Sequence, residues 1–156
     1  MTIRTESRLT VAGSVDELWA YLCDVGRWAE WAPTVLECRI RGGGSLEPGA
    51  WIEQRARDLG LNHRRREQVT AVDPPHSMAF VGTMWTSVAR WGMEFEPESD
   101  EGRTAAMMWV EVDLANVMRL IPGRSLQRQI QRVSDIEMAA IKAAVESDVQ
   151  AGAGTP

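Results

Sequence analysis

Apolar and polar positions alternate from the start of the chain. Ile3, Thr5, Ser7, Leu9 and Val11 interleave with Arg4, Glu6, Arg8 and Thr10, and a period of two predicts a strand with one face turned inward. Gly13 interrupts it. Ser14, followed three residues later by Glu17, has the form of a capping box. Val15, Leu18, Trp19 and Leu22 then fall at i, i+3, i+4 and i+7, which is one face of a helix. Asp24 is placed to cap a second short helix carrying Trp28 and Trp31, which Pro33 ends. Period two returns over 34–41, with Leu36, Cys38 and Ile40 opposite Glu37, Arg39 and Arg41, before the Gly42-Gly43-Gly44 turn.

The stretch from Trp51 to Leu114 predicts a meander of strands. Ile52, Gln54 and Ala56 oppose Glu53, Arg55 and Arg57, and Gly60 marks a turn. A strand over 61–72 ends at Asp73-Pro74-Pro75, because proline cannot donate to a central ladder. Strands over 78–85 and 88–96 follow, then a turn at 99–102. The last strand alternates Ala106, Met108, Val110, Val112 and Leu114 with Met107, Trp109, Glu111 and Asp113. Pro122 and Gly123 introduce a long helix, with Ser125 as a cap inside its start. Its apolar stripe reads Leu126, Ile130, Val133, Ala140 and Ala144, and Lys142 with Glu146 forms an i, i+4 pair. The Gly/Ala-rich residues 150–156 are expected to be a disordered tail.

The order is therefore strand, two short helices, six strands and a long helix, with no repeat or linker. A single domain over 1–149 is expected. An antiparallel sheet with one apolar face needs a cover, and only these helices are available, which makes the fold α+β. Seven Trp and eight Met against one Tyr and two Phe suit a lined cavity as well as an ordinary core. At 156 residues, 44% of them hydrophobic and 25% charged, the chain is long enough and apolar enough to bury a core. No apolar run approaches the roughly 20 residues that span a bilayer, so membrane insertion is not expected. The segment Met1–Ser7 carries Arg4 and Glu6 with no apolar stretch. It is unlike a signal peptide, so a cytoplasmic location with reduced Cys23 and Cys38 is expected. A net charge of −5 gives no global attraction to nucleic acid. The one basic cluster, Arg64, Arg65 and Arg66, would be split between two faces of a strand.

The segment from Glu17-Leu18-Trp19 to Pro33, with Asp24, Trp28 and Trp31, resembles the early helices of the START-like (SRPBCC, birch-pollen-allergen-like) superfamily, in its polyketide cyclase/dehydrase-like branch. Val69-Thr70-Ala71-Val72-Asp73-Pro74-Pro75, followed by Met78 and Phe80, is similar to that branch's strand ending in Asp-Pro-Pro. The closing helix with Asp135, Glu137 and Lys142 is similar as well. The likeness covers residues 3 to 148. It implies a helix-grip fold, a curved antiparallel sheet of about seven strands wrapped around a long C-terminal helix, with two short helices after the first strand. It also implies a hydrophobic cavity between sheet and helix. Members include lipid and hormone carriers and aromatase/cyclases, so the likeness alone does not imply a reaction.

Candidate chemistry is sparse. His63 and His76 have no companion at ligand spacing, so no metal is expected. The glycine run lacks the Lys of a phosphate loop, and no G-x-S-x-G occurs. No cofactor is expected. If Val69 faces inward, then strand parity brings Glu67, Arg65 and His63 to its side, and Gln54 lies on the side of Ile52, provided that no bulge intervenes. A His63–Glu67 pair is either an acid/base couple or a hydrogen-bonded polar pair at the cavity mouth. Phe80, Met84, Trp91, Met93, Phe95 and Met108 fall on the expected inner face, where they are core residues singly and a pocket wall together. Trp28 and Trp31 either gate the cavity or pin the short helix to the sheet. The expected function is binding of a hydrophobic small molecule, lipid-like or aromatic. The alternative is a cyclase, aromatase or dehydratase in which His63, Arg65 and Glu67 move protons. The expected state is a monomer or a homodimer, with Trp109 and Met107 on the outer face of the last strand.

Overall fold

The computed structural model describes residues 1–58, 60–84, 86–114 and 122–154, without the side chain of Met84. The elements are β1 (Thr2–Ala12), α1 (Val15–Cys23), a 3₁₀ helix (Val25–Glu30), β2 (Val35–Ile40), β3 (Trp51–Asp58) and β4 (Leu61–Asp73). They continue with β5 (Ser77–Met84), β6 (Ser87–Pro97), β7 (Arg103–Asp113) and α2 (Gly123–Ala153). The seven strands form one antiparallel sheet in the order β1-β7-β6-β5-β4-β3-β2. Strands β2 to β7 are successive neighbours, while the two short helices carry the chain from β1 at one edge to β2 at the other. This is the expected α+β helix-grip architecture.

Period two places the inner face where the alternation put it. Ile3, Thr5, Ser7 and Val11 of β1 are buried, as are Ala106, Met108 and Val112 of β7. The capping box at the start of α1 is complete in both directions: Ser14 Oγ accepts from the backbone N–H of Glu17, and Glu17 accepts from that of Ser14. Asp24 occupies the cap position of the 3₁₀ helix, but its side chain makes no capping hydrogen bond. In β2 a bulge between Val35 and Glu37 reverses the local parity, so Val35 is buried and Leu36 is 37% exposed. The expected inward Leu36 is thereby corrected, since one extra residue in a strand turns its neighbours over.

Helix α2 departs from expectation in three ways. Pro122, not Ser125, stands at its N-cap, with no side-chain cap bond. Its buried stripe is Leu126, Ile130, Ser134, Met138, Ile141 and Val145, and Val133 is 39% exposed. It also runs to Ala153, so residues 150–153 are helical and the expected disordered tail is corrected there.

The helix also covers the free edge of β1. Gln127 and Gln131 donate to the backbone carbonyls of Arg4 and Glu6, Lys142 Nζ donates to that of Thr10 at 2.6 Å, and Glu146 accepts from the N–H of Ala12. On the outer face, Trp109 lies over Gly92, where an added Cβ would stand 2.7 Å from the indole Cζ2. The Arg4 guanidinium caps the same ring at 5.6 Å. The large core joins α1, the 3₁₀ helix and the middle of the sheet. A smaller cluster of Ile3, Val112, Leu114, Leu126 and Ile130 joins β1, β7 and the start of α2.

Candidate functional site

Side chains of both clusters line one cavity of about 390 Å³ between the sheet and α2. Its apolar wall includes Met108, Val110, Val112 and Leu114 from the β7 side, and Leu126 and Ile130 from α2. Trp28, Trp31, Ala32 and Val35 close another side. Gly82, Ala89 and Ser134 leave room because their side chains are small. A space of this size falls within the range of small-molecule sites.

Most of the charged and imidazole groups of the wall come from β3 and β4. His63, Arg65 and Glu67 alternate along β4 and all reach the cavity. The β4 bulge lies between Val69 and Ala71, beyond these residues, so their parity with Val69 is unbroken. Arg64 and Arg66 are exposed on the opposite face, which splits the basic cluster.

These groups form a chain of contacts. Gln54, 5% exposed, is its centre: Arg65 Nε donates to Gln54 Oε1, and Gln54 Nε2 donates to Glu67 Oε2 at 3.3 Å. Trp91 Nε1 donates to the same carboxylate oxygen at 3.2 Å. Arg65 also donates to Thr34 Oγ1 at 3.0 Å, and its Nη1 lies 4.0 Å from Asp58 Oδ2. His63 Nε2 is hydrogen-bonded to Asp58 Oδ2 across the β3–β4 hairpin. The expected His63–Glu67 couple is therefore replaced by His63–Asp58, and Glu67 pairs with an amide and an indole. Gly82 lies opposite Glu67 in register, and an added Cβ there would stand 2.8 Å from Glu67 Cγ. The glycine leaves the space into which the glutamate leans.

The expected aromatic residues divide in two. Trp28, Trp31, Trp91 and Met108 reach the cavity wall, whereas Phe80, Met93 and Phe95 are buried behind it. Phe80 stacks on Trp91 with centroids 4.2 Å apart, and Phe95 meets the Trp19 ring edge-on. The pocket role expected for those three is thus corrected to core packing, because α1 and the 3₁₀ helix cover that part of the sheet. Met84 ends β5, and its side chain lies outside the described residues. Trp28 and Trp31 are 1% and 4% exposed. Trp28 donates to the Leu22 carbonyl at 2.9 Å and packs edge-on against Phe80 and Trp91. Both indoles fasten the 3₁₀ helix to the sheet while forming part of the wall. The Trp31 Nε1 is buried without a hydrogen-bond partner among the described residues.

Glu137 was not among the expected site residues. It stands on α2 three residues after Ser134 and four before Ile141, on the buried side of the helix, and it lines the cavity. It has no hydrogen-bond partner among the described residues. Enclosure by protein pushes its carboxyl up to about 7, with Arg65 opposing and the charge of Glu67 adding to the rise. Glu67 is also raised, first by burial, against the pull of Arg65 and the Trp91 hydrogen bond. Cys38 is pushed up to about 12, chiefly by burial and then by the charge of Glu67, so it is a thiol and not a nucleophilic thiolate. Both cysteines are free. No group of three metal-ligating side chains, and no helix long and apolar enough to cross a membrane, occurs among the described residues.

The fold of the chain has counterparts of known structure. A START superfamily protein from Mycobacterium smegmatis superposes with a TM-score of 0.75 at 13% identity, covering 93% of this chain and 98% of that one. The di-domain ARO/CYC StfQ from the steffimycin biosynthetic pathway gives 0.76 at 16% identity, with 96% of this chain matched to 53% of that one. Ara h 8.0201 gives 0.68 at 16% identity, covering 94% and 99%. These likenesses show the shared fold. None of the curated proteins matches the sequence. The sequence profile described as polyketide cyclase / dehydrase and lipid transport matches residues 2–146, and by that match the chain belongs to this family.

Proposed function

We propose that the chain binds a hydrophobic small molecule, lipid-like or aromatic, in the cavity between sheet and α2. The observation that carries this reading is the cavity itself: about 390 Å³, walled largely by Val, Leu, Ile, Met and Trp side chains, with its charged and imidazole groups gathered mainly on β3 and β4. Burial of apolar ligand surface supplies the affinity, at about 25 cal/mol per Å² removed from water, and the polar groups set orientation. The family description, which joins cyclases with lipid transport, is compatible with it.

A second reading, an enzyme of the cyclase or dehydratase kind, is favoured by one observation. His63, Arg65 and Glu67 face the cavity together with Glu137, whose carboxyl titrates near neutrality. A group of that kind is suited to exchanging protons with a bound carbonyl compound at neutral pH. Native mass spectrometry of the purified protein, followed by denaturation and identification of what is released, tests the first reading. A co-purified lipid or aromatic compound supports it. An empty protein that no apolar compound stabilises against heat removes it.

A further inference from the structure

We infer that the ligand of this cavity carries a hydrogen-bond-donating polar head, a hydroxyl or a protonated amine, and not a carboxylate. This deepens the proposal of a ligand cavity and rests on it. The polar pole holds three carboxyl groups, Asp58, Glu67 and Glu137, against the guanidinium groups of Arg57 and Arg65 and the imidazole of His63. Arg65 is the basic group placed to receive an anion, and it is already engaged. It donates to Gln54 and Thr34, lies 4.0 Å from Asp58, and couples electrostatically to both Glu67 and Glu137. Arg57 donates its Nε to Asn62 at 2.8 Å. A carboxylate brought to Arg65 would meet three carboxyl groups competing for one cation.

What the two glutamates of the pole lack is donors. Glu67 Oε2 accepts from Gln54 and Trp91, while its Oε1 has no partner among the described residues. Glu137 has none for either oxygen. Ser134, which also lines the cavity, spends its hydroxyl proton on the Ile130 carbonyl at 3.1 Å and offers only lone pairs. Both carboxyl groups are raised, chiefly by burial and against the pull of Arg65. An incoming O–H or N–H⁺ supplies what those oxygens lack, and an incoming carboxylate deepens the shortage.

Three probes that share the naphthalene body, 2-naphthol, 2-naphthylmethylamine and 2-naphthoate, separate the possibilities by isothermal titration calorimetry at pH 7.5. The expected result is that the alcohol and the protonated amine bind at least tenfold tighter than the carboxylate. In the double variant Glu67→Gln/Glu137→Gln the ratio should fall below about threefold. Binding of 2-naphthoate as tightly as the other two overturns the inference while leaving the ligand cavity in place. So does a preference that survives in the double variant. Failure of all three to bind, together with an empty protein by native mass spectrometry, overturns both. If the double variant does not fold, Glu137→Gln alone serves, and an unchanged ratio there against a tenfold one in the parent counts against the assignment of Glu137.

Discussion

Replacing Glu137 by glutamine removes the ionisable group from the buried side of α2 and keeps its shape. The carboxyl ordinarily titrates at 4.5 and is pushed up to about 7 in the folded chain. Between those two values the folded protein holds a proton that the unfolded chain has released, so stability falls as pH rises through the window. Below about pH 4.5 both states are protonated and the group contributes nothing. Above about pH 7 the full cost is present, about 3 kcal/mol at roughly 1.4 kcal/mol for each pH unit. Glu137 is only half-buried, which reduces the penalty to about 1–2 kcal/mol. Glu137→Gln should therefore stabilise the protein by that amount at pH 8 and by less than half of it at pH 5. For a chain of this size that is about 2 to 8 °C in Tm at the higher pH. Urea denaturation of parent and variant, at half-unit steps from pH 5 to 8, measures the difference directly. A variant that is less stable at pH 8, or a difference that stays flat across the series, would refute the half-buried, partnerless carboxyl.

Three further outcomes follow from geometry already described. Gln54→Met keeps the bulk but removes one acceptor from Arg65 and one donor from Glu67. At about 1.5–3 kcal/mol for each hydrogen bond to a charged group, lessened because Arg65 and Glu67 are only half-buried, a loss of about 2–4 kcal/mol in urea is expected; a loss below about 0.5 kcal/mol would mean that the contact chain is loose. Gly92→Ala sets a methyl 2.7 Å from both the Met78 carbonyl oxygen and the Trp109 ring, and overpacking against backbone should cost about 1–3 kcal/mol by thermal or chemical unfolding. An unchanged Tm would show that the two strands give way freely. Ser14→Ala deletes the acceptor for the Glu17 N–H and should cost about 1 kcal/mol, read as about 2–4 °C in a melting curve; no shift would place the start of α1 among frayed ends.

The succession and the number of elements were legible because alternation, glycine turns and proline stops all agree in this chain. Parity along β4 was legible for a narrower reason: its bulge falls after Val69, so His63, Arg65 and Glu67 keep step with it. In β2 the bulge falls inside the strand and turns Leu36 outward, and nothing in Val35-Leu36-Glu37 announces it. Parity also assigns a face without saying what covers it. Phe80, Met93 and Phe95 share the inner face with Met108, yet α1 and the 3₁₀ helix lie over them and the cavity lies over Met108. Glu137 was missed because the stripe of α2 was traced through Val133, Ala140 and Ala144, to one side of the buried row. Traced through Ile130, Ser134 and Ile141, that row has a carboxylate in its midst, and this is the signal that would have found it. The pairing of His63 with Asp58 depends on how the hairpin closes, which residue types alone do not specify.

The two margins of the sheet are finished by different means. At β1 the carbonyls of Arg4, Glu6 and Thr10 are engaged by side chains of the protein's own helix, so α2 does there what an eighth strand would otherwise do. A second molecule seeking to extend the sheet finds those acceptors taken. At β2 the margin is interrupted by a bulge and studded with Glu37 and Arg39, which pair with Arg55 and Glu53, a combination that resists strand addition through shape and charge. A protein that curls a seven-stranded sheet around a hollow of about 390 Å³ is thus kept from growing sideways, and any self-association is directed to its faces.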